Sequence, residues 1–292
     1  MKELRAVLLS IALIFTAPVA HAQATIQPLT GIIEGHRVGG VTVDLTGTLF
    51  IADFGDIVWK ISTDGERSIF ASGLYGSSGN SVDAEGNLLQ SSYYGNFITR
   101  IDRMGHASRL AADLQGPVGL AVDRKSGDVY VANCNGNTVS KIKSDGSSAV
   151  FARSDLLKCP NGIAFGRDET LYVVNYRDNH MLKIDRDGQV SLFATVSAKG
   201  LGHLCFKKDR FFVTAYASHE LYQVTLDGAV TRILGNGQRG LVNGQGEQAR
   251  LSFPNGIACD PWTPRLFIDE FDSDAEEGGK LRAIVREVIL PK

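Results

Sequence analysis

One short pattern, built around a glycine followed by small and apolar residues, recurs six times along this chain. The six stretches are VGGVTVDLTGTLFIADF, SGNSVDAEGNLLQSSYY, PVGLAVDRKSGDVYVANC, PNGIAFGRDETLYVVNY, GLGHLCFKKDRFFVTAY and PNGIACDPWTPRLFIDEF. Aligned on Gly40, Gly79, Gly119, Gly162, Gly202 and Gly256, successive units lie 39, 40, 43, 40 and 54 residues apart. A fixed period near forty means an array of one small unit that buries its apolar face only against its neighbours. Within the third unit, Gly119–Asp123, Asp128–Asn133, Thr138–Ile142 and Ala149–Ala152 alternate in polarity and are rich in β-branched and aromatic residues, which predicts four short strands. Asp64-Gly65, Asp145-Gly146, Asp187-Gly188 and Asp227-Gly228, with Met104-Gly105 as the variant, supply hairpin turns between third and fourth strands. Four antiparallel strands repeated six times predict an all-β fold, a six-bladed β-propeller.

The ends of the array predict how the ring closes. The sixth unit runs out after Leu281–Ile289, one strand short, while 24–30 precedes the first unit and reads as a strand without its own blade. The N-terminal segment therefore completes the last blade, where Pro28 is tolerable on an outer edge. Blades are expected to start near residues 38, 77, 117, 160, 200 and 254 of a single domain covering 23–292. Residues 1–22 read as a secretory signal peptide: Lys2 and Arg5 lead an apolar run that ends in Ala20-His21-Ala22. That implies a periplasmic or secreted chain with no membrane attachment after cleavage. The formal net charge of −2, or −3 without Lys2, Glu3 and Arg5, comes with no basic stripe, so a nucleic-acid partner is not expected. Oligomeric state is not encoded in any of these features.

The G-[ILV]-A-x-D…G-x-L-[YF]-[VI]-A-[DN] pattern resembles NHL-repeat propellers, as do Asn179-His180-Met181-Leu182 and the insertion Leu234–Ala258. The PNGIA pair, Pro160–Ala164 and Pro254–Ala258, is similar to the PNG-[IL] element of the senescence-marker-protein and gluconolactonase family. The resemblance implies a divalent cation at the mouth of the central channel, held by carboxylates and asparagines, and hydrolysis of a small lactone or ester. The chain departs from that pattern at Gly39, where a glutamate is implied, and at Leu201, where an aspartate is implied.

In a propeller, the segment leading into each blade and the loop between second and third strands share one face, here called the top. The residues preceding the anchoring glycines are Gly39, Ser78, Val118, Asn161, Leu201 and Asn255. Four blades form this turn without asparagine, so Asn161 and Asn255, with Ser78, are candidate ligands for a cation, of which Ca²⁺ suits neutral oxygens best. The alternative for the asparagines is turn chemistry. Glu34, His36, His203 and Glu270 are candidate catalytic bases. His203 takes a position where other units have Ile163 or Ile257, and a core histidine bonded to a carbonyl is the equal alternative. Tyr93, Tyr176, Tyr216, His219 and Asp269 are candidate substrate contacts. The tyrosines share a register with Phe54 and Phe271, a repetition that also suits packing. His180 belongs to the repeat signature and His106 to the opposite face. Cys134 and Cys159 lie in adjacent top-face loops and predict a disulfide, whereas Cys205 and Cys259 fall on core positions and read as buried thiols. Three activities stay open: a lactone or ester hydrolase, a non-catalytic propeller binding a protein, glycan or small ligand, and a metal-assisted lyase resembling the streptogramin lyases.

Overall fold

Burial grades outward along every blade, because the second strands are covered on both faces while the fourth lie at the rim. Leu88–Ser92, Val129–Asn133 and Leu171–Asn175 are buried at every residue, whereas Arg67–Ala71, Ala107–Ala111 and Ser148–Arg153 expose their first three. The computed structural model describes residues 23–29, 33–34, 37–272 and 282–291. The expected signal peptide and His36 lie outside the described residues, and of Glu34 only the backbone is described.

The molecule is a six-bladed, all-β propeller of antiparallel four-stranded blades. From the axis outward, the second blade runs Ser77–Val82, Leu88–Ser92, Phe97–Ile101, Ala107–Ala111, and the fourth runs Pro160–Phe165, Leu171–Asn175, His180–Ile184, Val190–Thr195. Glycines 65, 105, 146, 188 and 228 turn the third strand into the fourth at φ between 80 and 91°, a backbone that the Asp-Gly pairs supply without a Cβ penalty. Apolar clusters fill the wedges between neighbouring blades; Val174, Met181, Leu204 and Val213, for example, join the fourth to the fifth.

Closure is more elaborate than the sequence suggests. Thr25–Pro28 pairs with Arg282–Ile289 as the fourth strand of the sixth blade, in register from Thr25↔Ile289 to Pro28↔Arg286. It is not the outermost strand, however. Gly244–Gln245, from the long insertion, pairs outside it against Thr25 and Ile26, and Pro28 lies beyond the capped pair. Ile33–Glu34 adds a short pairing to Ala283 and Arg282 near the top of the same blade.

Strand register also corrects the alignment of the fifth blade. Leu204↔Val213 matches Ile163↔Val173 and Leu120↔Val131, and Leu201↔Ala215 matches Pro160↔Asn175. Hence Gly202, not Leu201, is equivalent to Asn161, and His203 stands where the other blades have their anchoring glycine. Those glycines are required by close approach. A Cβ on Gly40 or Gly79 would come within 2.8 Å of the next anchoring Cα, and one on Gly162 within 2.7 Å of the His203 Cα. His203 is thus one member of the innermost ring of the propeller, not an occupant of an isoleucine site.

Candidate functional site

The top-face loops enclose a cavity of about 320 Å³ on the axis, lined by residues from all six blades or their lead-in segments. That volume is at the small end for molecule-binding clefts. Its walls are aromatic. Phe54 and Tyr93 come from the first and second blades, with ring centroids 5.6 Å apart, and Tyr94 lies 5.2 Å from Tyr93. Tyr176 and Tyr216, from the fourth and fifth blades, are 6.2 Å apart. In a six-membered ring these two pairs face each other across the axis. Phe253 packs behind the second pair, 5.0 Å from Tyr216 and 5.9 Å from Phe271. The third blade contributes a disulfide instead of an aromatic ring: Cys134 and Cys159 are joined, with Cα atoms 3.7 Å apart, and both line the cavity.

The floor is polar. Asn161 donates from Nδ2 to the Leu201 carbonyl at 3.2 Å, and Asn255 donates to the Gly39 and Val38 carbonyls at 2.7 and 3.2 Å. Each amide ties its blade to the next, which explains why asparagine rather than serine or valine is useful there. Both Oδ1 atoms are without a hydrogen bond among the described residues, and Ser78 completes this set on the second blade. Burial raises the pKa of Tyr176 and Tyr216, so both keep their hydroxyl protons. Among the described lining residues Arg37 carries the only charge, and its field acts on Tyr216.

Two residues, one in the cavity wall and one behind it, hold a backbone that other blades give to glycine. The position before the first strand is left-handed in the second to sixth blades, and glycine fills it at Gly76, Gly116 and Gly200. Cys159 and Phe253 take the same conformation with side chains, at φ 52° and 49°. A non-glycine residue there costs about 1 kcal/mol or more. One is offset by the disulfide, the other by the aromatic stack.

The candidates from the sequence separate into two groups. Ser78, Asn161, Asn255, Tyr93, Tyr176 and Tyr216 all reach the cavity. Glu270 does not. It is fully buried and forms a bidentate ion pair with Arg286 while accepting the Ser252 N–H at 2.8 Å. Arg286 in turn donates to the Val242 and Arg250 carbonyls, pinning the insertion to the sixth blade. Asp269 lies beneath the floor, fully buried, with Oδ1 accepting the Gly256 N–H at 2.5 Å and Oδ2 unpartnered among the described residues. Burial pushes its pKa well above 3.8. His203 is buried with Nε2 unpartnered among the described residues, and burial lowers its pKa to about 4. His219 sits outside the cavity wall, at φ 57°, with Nδ1 accepting the Phe253 N–H at 3.2 Å and its pKa lowered by burial and by Arg239. His180 and His106 sit beside Asp178 and Asp102. Cys205 and Cys259 are not thiols but a second disulfide, which bridges the inner strands of the fifth and sixth blades.

A divalent cation does not fit the described residues. The oxygens on offer, from Ser78, Asn161 and Asn255, are neutral, and the one charged neighbour is a guanidinium. Calcium affinity grows with ligand charge, which this set lacks. No group of three His, Cys, Asp or Glu among the described residues is arranged to hold a metal.

Sequence reasoning missed Arg37, Tyr94 and Phe253. Arg37 belongs to the same lead-in segment that drew attention to Glu34 and His36, so its position was available. Phe253 precedes Pro254 where Gly200 and Gly116 hold the equivalent place, a substitution visible only once the left-handed backbone is known.

The NHL-repeat family model matches residues 114–142, which span the third blade from its lead-in to its third strand. The chain is a six-bladed propeller carrying an NHL repeat. Solved structures with the same fold include a gluconolactonase from Xanthomonas campestris, at 19% identity and TM-score 0.68 over 94% of this chain and 97% of that one. A catalytically inactive virginiamycin B lyase from Staphylococcus aureus with quinupristin aligns at 16% identity and TM-score 0.65, over 92% of this chain and 100% of that one. An auxiliary nutrient binding protein from Bacteroides ovatus aligns at 15% identity and TM-score 0.73, over 93% and 78%. At these identities the likeness is one of fold. No curated protein is significantly similar in sequence.

Proposed function

We propose that this NHL-repeat propeller is exported and holds a small molecule in the top-face cavity as a ligand-binding protein. The observation that carries this reading is the composition of the described cavity wall: opposed aromatic pairs, a floor of neutral amide and hydroxyl oxygens, and Arg37 as the one charged group among the described lining residues. Recognition needs a shaped apolar site with a few placed polar groups, which this cavity supplies. Acid–base chemistry needs a proton acceptor within hydrogen-bond reach of the substrate, and the described carboxylates and histidines lie below or outside the wall. Export is supported by the basic-apolar N-terminus and by two disulfides that account for all four cysteines.

Turnover of a small lactone or ester, or elimination of the lyase kind, is the second reading. Glu34 favours it, because its backbone pairs at the top of the sixth blade, one residue pair beyond the match of Ile33 to Ala283, which itself lies opposite pocket-lining Phe271. The two readings separate in one experiment. A fragment panel is screened by protein NMR or crystal soaking, and lactones and aryl esters are assayed in parallel. Fragments that occupy the cavity and are lost in Tyr216→Ala, with no turnover, support the binding protein. Turnover abolished by Glu34→Gln assigns an enzyme, and fragments that bind only elsewhere reject the site.

A further inference from the structure

We infer that the ligand is a flat aromatic monoanion, its ring between the two aromatic walls and its anionic group on Arg37. This rests on the binding reading above and adds the chemical class. Phe54 with Tyr93 and Tyr176 with Tyr216 come from blades opposite one another, so the cavity is a slot with π-faces or edges on both sides. Aromatic surfaces on both sides gain more from stacking or edge contact with a planar guest than from a bulky aliphatic one.

The charge of the guest follows from what surrounds it. Arg37 is exposed to the cavity and has no carboxylate partner among the described residues, nor does any acidic side chain line the described wall. A guanidinium in a low-polarity aromatic setting attracts a carboxylate through charge-assisted, potentially bidentate hydrogen bonds. Among the described residues, a cationic guest would meet the same guanidinium without a compensating carboxylate. The floor reads the far end of the molecule. Because the Asn161 and Asn255 amide nitrogens are committed to backbone carbonyls, the floor presents their oxygens, which accept a hydroxyl or N–H from the guest. The disulfide and Val118 close the side between the aromatic walls and add apolar surface without charge.

Four probes test this on the mature protein by calorimetry: 4-hydroxyphenylacetate, 4-hydroxyphenylacetamide, tyramine and cyclohexylacetate. The aromatic acid is expected to bind about tenfold or more tighter than the amide, with tyramine weakest and cyclohexylacetate below the aromatic acid. Arg37→Gln, a change at an exposed side chain, is expected to bring the acid to the level of the amide, the acid losing about tenfold and the amide distinctly less. Equal affinity of acid and amide in the wild type, or a preference that survives Arg37→Gln, overturns the anion assignment and leaves the binding reading standing. A cyclohexyl acid that matches the aromatic one overturns the slot. If none of the four binds, the inference fails, and the fragment panel described above then decides separately whether the cavity binds anything.

Discussion

Replacing His203 by glycine should remove an acid-sensitive component of stability. His203 is buried, its Nε2 has no partner among the described residues, and burial depresses its pKa from 6.5 to about 4. The unfolded chain therefore takes up this proton near pH 6.5, and the folded chain takes it up only near pH 4. Protons bind preferentially to the unfolded state across that window, so stability is intact above it, falls as the pH drops through it and levels off below it. At 1.36 kcal/mol per pH unit, the loss amounts to about 2 kcal/mol by pH 5 and about 3 kcal/mol by pH 4. That is a large part of a total of about 5–15 kcal/mol. Glycine is the natural replacement because the other five blades use it at this place in the innermost ring. Urea unfolding of wild type and His203→Gly at pH 7.5, 6, 5 and 4.5 gives two stability curves. Carboxylates titrate in both, so their difference isolates the imidazole. The glycine variant should gain on the wild type by about 2 kcal/mol between pH 7.5 and 5. Parallel curves would refute the account of His203 as a buried neutral base.

Asp269→Asn should behave in the opposite sense. Burial raises the carboxyl pKa, so its contribution is present below about pH 3.8 and is lost as pH rises through the higher folded value; the asparagine variant, which keeps an acceptor for the Gly256 N–H, should gain on the wild type in urea melts as pH rises from 4 to 7, and a steady difference would refute this. Arg286→Met leaves the Glu270 carboxylate buried without its cation and should cost about 3–5 kcal/mol, or a Tm drop on the order of 10 °C by calorimetry, with a drop below about 2 °C counting against the pair. Ile26→Ala in the closing strand removes a fully buried side chain and should cost about 2–5 kcal/mol, whereas an unchanged urea midpoint would mean the ring does not depend on that strand. Serine at both Cys205 and Cys259 opens a loop of 54 residues and should cost about 4 kcal/mol by the chain-entropy argument; non-reducing peptide mapping that finds either thiol free would remove the disulfide itself.

The blade count, the hairpin turns and the tyrosine register were legible because each is a local signal repeated in almost every unit. The fifth blade was misread for a physical reason. GLGHL offers two glycines, and letters alone favour anchoring on Gly202; only the pairing of Leu204 with Val213 shows that His203 occupies the ring. Burial of Asp269 and Glu270 was invisible for a related reason. Two acidic residues at a strand end look like a solvent-facing pair until Arg286, sixteen residues later, and the insertion fold over them. The second disulfide joins non-equivalent positions of adjacent blades, so a scheme that treats each blade alike assigns both cysteines to the core.

The two PNGIA stretches show where repetition ends and specialisation begins. Their Gly-Ile-Ala portion obeys the packing of the ring, since Gly162 and Gly256 have no room for a Cβ. Their asparagines strap one blade to the next and leave oxygens on the cavity floor. The residues just before them, Cys159 and Phe253, hold a left-handed backbone that three other blades give to glycine. Such a position tolerates a side chain only where that side chain gains something in return. Cys159 gains a covalent bond across the wall and Phe253 a place behind Tyr216 and Phe271. The same two blades therefore depart from the repeat twice over, once at the cavity floor and once in its wall or directly behind it. Closing a six-bladed ring requires neither departure, since the second, third and fifth blades do without both, and the proposed binding function gives them a reason.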